Sequence, residues 1–324
     1  MILILSNKWD LTVDFVVSEL RKRDHPFLRL NTENLVSSRA NIHLPDLRIS
    51  LSSNEKLYNL TKDVNVVWYR RPGKPFDDLP ENERPSPSTQ QFVTKQWAIW
   101  LEALQLIPDV TWVNHPDNNN RMENKMRQLL LATEIGFHIP DSIASNDPKQ
   151  IREQAINHGG EIITKALYAP LIEEPDQDFF IFTNKIDLND LVGAEEELKI
   201  SPSIFQQCLS PKVDYRVTVI GETVFPVKIE YRAGEKAPID WRVIKDDIDF
   251  VLVEIPPGVE EKCREYVRSA GLIFGAIDLI EYEGDFYFIE INPNGEWGWL
   301  QKPHNIPIAQ TLCDLLISYD KTKA

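Results

Sequence analysis

Cysteine is scarce in this sequence: Cys208, Cys263 and Cys313 are its three thiols, far apart and without a Cys-x-x-Cys pair. That argues against a disulfide framework or a zinc site and fits a reducing cytoplasm. No apolar run approaches the ~20 residues of a membrane span. The apolar start, Met1 to Leu5, is too short for the core of a signal peptide, and Asp10 follows soon after. The chain is read as cytoplasmic and away from membranes. Positive charge is short as well: 35 Lys and Arg against 50 Asp and Glu leave a formal net charge of -15. Neutralising a nucleic-acid backbone needs clustered Lys and Arg, so that partner is excluded. A basic partner suits such a chain, as does a nucleotide held through Mg2+ at a few placed cations. Three familiar motifs are missing. No G-x-x-x-x-G-K-[ST] loop exists, no G-x-G-x-x-G follows the first strand, and no G-x-S-x-G elbow occurs. Any nucleotide must bind by another architecture than a P-loop or dinucleotide fold.

What is present is an ordinary globular composition, 42% apolar and 26% charged over 324 residues, long enough for two or three domains. Ile2 to Leu5 reads as a buried strand, Thr12 to Arg23 as an amphipathic helix capped by Asp10, and Phe27 to Leu30 as a second strand. Strand, helix, strand opens a parallel α/β layer. Val64 to Tyr69 is another strand, residues 88 to 106 are helical with Trp97, Trp100, Leu101 and Leu104 on one face, and Thr111 to Val113 closes a first domain, 1–115. A central lobe, 116–202, follows. It has a helix from Asn124 to Ile135 ending at Gly136, a helix from Pro148 to Asn157 between strands at Ile139 to Ala144 and Glu161 to Lys165, a strand at Phe179 to Phe182, and a short acidic helix over Asp187 to Glu197. A C-terminal lobe, 203–324, is mostly strands, with helices over Val259 to Ala270 and Ile308 to Ser318. The fold class is α/β and α+β.

The strongest local signal is a hairpin from Ala276 to Glu290, two apolar strands around a polar turn with Gly284. Side chains alternate along a strand, so Glu290 and Asn292 share a face. With the hairpin centred on Gly284, Asp278 lies opposite Glu290. Opposed Cβ atoms are ~5 Å apart, and like charges so placed are destabilising unless neutralised. Mg2+, which takes one or two carboxylates with phosphate oxygens and water, is the natural neutraliser. A solvent-facing polar side of an edge hairpin is the alternative, and a bulge would shift the register.

The strand of Asp278 followed by Glu290-Ile291-Asn292-Pro293 resembles the metal-binding end of ATP-grasp ligases, and further residues follow in that family's order. By this resemblance the fold is ATP-grasp: an N-terminal α/β pre-grasp domain, a central lobe and a C-terminal lobe. It implies ATP and Mg2+ as cofactors, with Asp278, Glu290 and Asn292 on the metal. Lys125 and Lys165 match the two nucleotide lysines, and Gln206, Gln207 and Leu209 look like the hinge beside adenine. Asp214 is placed like the ribose acid, and Arg216 like the γ-phosphate arginine. Within the superfamily, Trp68-Tyr69-Arg70-Arg71, Asp240-Trp241-Arg242 and Asn292-Pro293-Asn294-Gly295-Glu296-Trp297 are similar to the microviridin-type, or graspetide, peptide macrocyclases. The likeness runs over nearly the whole chain. It implies a ligase that activates Asp or Glu side chains of a ribosomal precursor peptide as acyl phosphates and forms ester or amide crosslinks. Arg242, Arg70 or Arg71 would hold the carboxylate or oxyanion. The leader would dock near residues 173–197, and homodimers are frequent in that family. Two departures stand out: the segment Ala166 to Leu171 has no glycine for a phosphate lid, and Gln207 replaces a frequent acid.

Read singly, these residues have plainer uses. Helical lysines such as Lys125 are mostly solvated. Lys165, ending an apolar strand, must reach water or a charged partner. Arg216 sits in an apolar run, where a buried arginine requires pairing. Arg242 beside Trp241 suggests a cation–π pair. Arg70 and Arg71 point to opposite faces if their strand continues. The acidic stretch Glu173, Glu174, Asp176, Asp178, Asp187, Asp190, Glu195, Glu196 and Glu197 is a solvated face or a docking surface for a basic leader. The six histidines form no motif, and His115 and His304 read as structural. Three other functions remain open: a small-molecule ligase of the glutathione-synthetase type, a non-catalytic nucleotide- or peptide-binding module, and a bare kinase.

Overall fold

In the computed structural model the described residues are 1–53, 55–168, 171–172, 179–231, 238–243, 248–302 and 304–320. They form two units, one of 1–116 with 296–324 and one of 117–295.

The first unit begins on β1 (Ile2–Ser6), whose five residues are all buried, as a continuous apolar run in a covered parallel sheet should be. Asp10 caps α1 (Leu11–Lys22), its side chain accepting from the Thr12 N–H. Then come β2 (Phe27–Asn31), β3 (Arg39–His43), β4 (Arg48–Ser53), β5 (Lys56–Asn59), α2 (Leu60–Asp63), β6 (Val66–Tyr69), α3 (Pro87–Glu102) and β7 (Thr111–Val113). The parallel sheet has the order β2-β1-β6-β7. The antiparallel sheet β3-β4-β5 was not anticipated. Its strands are short and half polar, and only Ile49 and Leu51 of β4 are fully buried. The core gathers Leu3, Leu5, Leu30, Ile49, Leu51, Val67 and Leu104, with Trp97, Trp100 and Leu101 of α3 packed against it.

The chain enters the second unit through α4 (Pro116–Met122). Asn124 caps α5 (Lys125–Ile135), which stops at Gly136 in the left-handed region (φ +90°). Next are β8 (Ser142–Ser145), α6 (Pro148–Asn157), β9 (Glu161–Lys165), β10 (Leu171–Ile172), β11 (Phe179–Phe180), β12 (Asn184–Asp187), α7 (Glu195–Leu198) and β13 (Ser203–Gln207). One sheet has the order β12-β9-β13-β8. Residues 203–207 thus belong to the central sheet and not to a C-terminal lobe. The acidic helix is shorter than expected. Asp187 accepts the N–H groups of Asn189 and Asp190, and side chains that satisfy the backbone locally favour a turn over a helix.

The rest is β14 (Val213–Ile220), β15 (Thr223–Tyr231), β16 (Ile248–Leu252), α8 (Pro257–Ser269), β17 (Phe274–Tyr282) and β18 (Asp285–Asn292), in a sheet ordered β16-β15-β14-β17-β18. Its core includes Val217, Val219, Ile277, Leu279 and Ile291, with Tyr266 of α8 stacked on Phe288 at 4.5 Å. The chain then returns to the first unit as α9 (Gly298–Gln301) and α10 (Ile308–Asp320). Ile308, Ala309, Leu312 and Leu316 bury one face of α10, which packs on α1. Residues 296–324 therefore complete the N-terminal unit, where the sequence suggested a C-terminal lobe through to 324.

Candidate functional site

The hairpin β17–β18 sets the site. Its turn is Glu283-Gly284, both in the left-handed region (φ +53° and +87°), with Tyr282 paired to Asp285. That register alone would place Asp278 opposite Ile289. A bulge intervenes: Leu279 pairs with Phe288, but Asp278 pairs with Glu290. The expected opposition is real, and the bulge creates it rather than undoing it. At ~5 Å and an effective dielectric of ~20, two such charges repel by about 3 kcal/mol.

Cations answer that repulsion. Arg216 on β14 is the cross-strand neighbour of Asp278, and its Nη1 donates to Asp278 Oδ1 at 2.9 Å. Lys125, the first residue of α5, lies 3.6 Å from Glu290 Oε2 and donates to the Ala166 carbonyl at 3.1 Å. It is an N-terminal helix residue aimed into the site, unlike a solvated mid-helix lysine. Burial pushes the Asp278 carboxyl up against the pull of Arg216, and Glu290 adds to the rise. Burial also weighs on Glu290, but Lys125, Lys165, Arg242 and Arg216 outweigh it and hold that carboxyl below its ordinary value. Lys165 ends β9. Its side chain is half-buried but its ammonium is well desolvated, which lowers its pKa to about 8 despite Glu290; Lys125, Lys212 and Arg242 lower it further.

Arg242 grips Asp240 through two bonds, Nε to Oδ1 at 2.8 Å and Nη2 to Oδ2 at 2.7 Å. Desolvation opposes its charge, but Asp240, with Glu290 and Asp278 beyond, more than compensates. Trp241 meets Phe250 edge-on at 5.9 Å. Asp214 is buried, and its oxygens accept from Lys212 at 2.6 Å and from Tyr231 at 2.7 Å. The expected ribose acid is therefore engaged inside the protein. In the hinge, Gln206 is buried and donates to Ser142 Oγ at 2.8 Å, the Gln207 N–H donates to the Asp141 carbonyl at 2.9 Å, and Leu209 is buried. Asn292 Oδ1 accepts the Asn294 N–H at 3.0 Å and keeps a second lone pair.

Two residues escaped sequence reasoning. Gln128, one turn along α5 from Lys125, donates to the Ile291 carbonyl at 3.0 Å and accepts the Ile291 N–H at 3.1 Å. It holds the backbone between Glu290 and Asn292 as a neighbouring strand would. A buried glutamine inside an amphipathic helix was the available signal. Gly295, quoted above only as part of a motif, is the other in its role: a Cβ there would fall 2.3 Å from Ala276 Cβ and 2.9 Å from Arg216 Nη2, so only glycine lets this loop pass the arginine.

Within the first unit, Arg70 is 2% exposed, with Nε 3.1 Å from Asp10 Oδ2 and Nη2 2.7 Å from Glu296 Oε2. Arg71 does not continue the strand. Its φ of +45° breaks the alternation, so its Nη1 also approaches Glu296 Oε2, at 3.3 Å. Both guanidiniums thus converge on one carboxylate instead of opposite faces. Of the acidic stretch and the glycine-free segment, residues 169–170 and 173–178 lie outside the described residues.

The donor set suits a magnesium–nucleotide. Among the described residues no group of three or more His, Cys, Asp or Glu could hold a metal alone. Mg2+ needs only one or two carboxylates when phosphate supplies further oxygens. Arg216 Nε, buried and without a hydrogen-bond partner among the described residues, leaves a donor for an anion.

A fold comparison supplies the frame. The Chryseobacterium gregarium RiPP-associated ATP-grasp ligase, solved with ADP and a leader and core peptide, superposes with a TM-score of 0.85 at 26% identity, covering 98% of this chain and 96% of that one. The chain has the ATP-grasp fold. The macrocyclase MdnC of Microcystis aeruginosa, solved with its precursor peptide MdnA, also reaches 0.85, at 23% identity over 98% of this chain and 99% of that one. A curated relative is the tetrahydromethanopterin:alpha-L-glutamate ligase of Methanocaldococcus jannaschii, 26% identical over 148 residues, 41% of this chain. The match spans half that relative's length. No protein-family model matches the chain.

Proposed function

We propose that this ATP-grasp chain is an ADP-forming ligase that activates side-chain carboxylates of a precursor peptide and joins them to hydroxyl or amine groups, giving intramolecular esters or amides. The observation that carries the reading is the pair Asp278–Glu290, opposed by the bulge and ringed by Lys125, Lys165, Arg216 and Arg242. Asp278, Glu290 and Asn292 would hold Mg2+, which draws charge from the ATP phosphates. Lys125 and Lys165 neutralise the remaining phosphate charge, and Arg216 steadies the transferring phosphoryl group. A peptide carboxylate attacks the γ-phosphorus, the bond to ADP breaks, and an acyl phosphate forms. A hydroxyl or amine then attacks its carbonyl and phosphate leaves. Arg242 would hold the carboxylate or the tetrahedral oxyanion, while Arg70 and Arg71, the other two candidates, meet at Glu296 within the first unit. Closing the site against water protects the acyl phosphate.

The same reading places the leader on the acidic region up to residue 197. There Asp190, Glu195, Glu196 and Glu197 are exposed beside exposed Val192 and Ile200. It also takes the enzyme to be a cytoplasmic homodimer; no helix among the described residues is long and apolar enough to cross a membrane.

The test measures ADP release with ATP and Mg2+, with and without a peptide encoded beside this gene, alongside peptide mass. ADP matched by loss of ~18 Da per crosslink supports the reading. Asp278→Asn with Glu290→Gln should abolish turnover in a folded protein, and full turnover would sink the metal assignment. The curated relative favours a second reading, glutamate addition to a small acceptor. A gain of mass on such an acceptor, with the peptide unchanged, would establish it.

A further inference from the structure

Helix α3 is the odd element of the first unit. A helix in a folded chain draws most of its stability from packing an apolar face. None of the 16 residues of α3 is buried, although they include Phe92, Val93, Trp97, Ile99, Trp100 and Leu101. At about 100° per residue, Trp97, Trp100 and Leu101 share the face that packs on the core of Leu3, Leu5 and Val67. Phe92 and Ile99 lie on the opposite face, 64% and 66% exposed. Leu106, in the turn that follows the helix, is 63% exposed and continues their spacing of one heptad. Phe92, Lys95, Ile99 and Glu102 fall within an arc of about 80°. A helix apolar on both sides belongs in a packed interior, so its outer face needs a cover.

The charge of this face says what covers it. Across residues 87–106 the ionisable side chains are Lys95 and Glu102, which cancel, in a chain of net charge -15. A basic partner gains nothing from neutral ground on so acidic a protein, and an anionic partner is repelled by the rest of it. A second copy is itself acidic, and two such chains repel least where they meet on neutral surface.

The stripe is also complementary to itself. Set a second α3 antiparallel about a two-fold axis at Ile99. Ile99 then meets Ile99, and Phe92 meets Leu106, because both are equally far from the axis. Lys95 falls opposite Ala103 of the second copy, one residue from its Glu102, so a Lys–Glu pair forms on each side of the axis. This is the isologous pattern, in which residue i contacts j and j contacts i. A parallel pairing would instead set Lys95 against Lys95 and Glu102 against Glu102.

We propose that the outer face of α3 is the interface of a homodimer, packed antiparallel on α3 of a second copy about an axis at Ile99. Phe92, Ile99 and Leu106 are its apolar anchors, and Lys95 with Glu102 sets its register. The proposal builds on the homodimer reading and is independent of the ligase chemistry.

The test is sedimentation equilibrium of the full chain at up to about 100 μM. The parent is expected at twice the monomer mass. Ile99→Arg, which opposes two guanidiniums on the axis, should weaken dimerisation about a hundredfold or more. Lys95→Glu and Glu102→Lys should each weaken it about tenfold, since each turns two attractive contacts repulsive. An equimolar mixture of those two single variants should dimerise as the parent does, because every charge contact across the mixed dimer is again of opposite sign. Mixing cannot rescue a misfolded chain, so this arm separates a lost interface from a lost fold. Leu57→Ala, exposed on β5, should leave the dimer unchanged. A monomeric parent overturns the proposal together with the homodimer reading. A parental dimer overturns the proposal alone if any of the three variants dimerises like the parent, or if the mixture stays as weak as its components.

Discussion

Lys165 is partly discharged near neutral pH because burial, joined by its cationic neighbours, outweighs Glu290 and leaves its pKa at about 8. A phosphate group beside it would favour the charged form and raise that value again. Nucleotide binding should therefore take up a proton above pH 8, and affinity should fall as pH rises, by at most about tenfold per unit. Calorimetric titration of ADP and Mg2+ at pH 7 and pH 9, in two buffers of different ionisation enthalpy, reads the uptake directly. Lys165→Arg should abolish it, and an uptake that survives the substitution would assign the proton elsewhere. Gln128 acts through its neighbours. Gln128→Leu keeps the volume but leaves the Ile291 N–H and two carbonyls unpaired, a loss of about 1–3 kcal/mol in urea unfolding. It should also weaken magnesium–ADP binding, since Glu290 and Asn292 flank the freed residue; unchanged affinity would reduce Gln128 to a stability role.

The hairpin shows what an element adds to its residues. Side chains alternate along β18, so a one-residue shift exchanges its two faces. Deleting Ile289 removes the bulge yet keeps every cross-strand partner, Leu279 with Phe288 and Asp278 with Glu290, so no face is exchanged and only the gap in β18 must close. The outcome depends on which side of the bulge yields. Because Gln128 and the Gly295 loop fix the Asn292 side, the strain should fall on Phe288 and its stack with Tyr266. We expect a folded protein with a lower melting temperature and retained magnesium–ADP binding; lost binding at parent-like stability would show that the bulge itself shapes the site.

This region also marks the limit of the sequence. Alternation and Gly284 were enough to find the hairpin and the acidic pair, but the two-residue turn and the compensating bulge are invisible in residue types. Lys165 and Arg216 were legible because a charge in or at the end of an apolar run needs a reason, whereas Lys125 stood out only through the family resemblance. Asp214 was legible as important, but its engagement by Lys212 and Tyr231 was not, since only the sheet brings those partners near. Arg70 and Arg71 were expected on opposite faces if their strand continued, and it does not, because β6 ends at Tyr69 and Arg71 turns left-handed. The sheet β3-β4-β5 was missed because its short strands bury little, and little burial leaves little pattern.

For the molecule as a whole, the division into two units is a statement about cores. One cluster gathers Leu3, Leu5, Ile49 and Val67, another Val217, Ile277 and Phe288, with no buried residue in common. The first unit is discontinuous in sequence and depends on α10, whose Leu312 is fully buried. Leu312→Ala should cost the first unit about 2–5 kcal/mol, through lost burial and the cavity left behind. Bound magnesium–ADP should instead stabilise the second unit, by about 2.7 kcal/mol at a hundred times its dissociation constant. Scanning calorimetry can read both effects in one series. The substitution should lower one transition and leave the other in place, while nucleotide raises the second and leaves the first. If both changes move a single transition together, the two cores unfold as one cooperative block, and the midpoint would then report their sum. That outcome would mean that the return of the chain at residue 296 couples the units more strongly than their separate cores require.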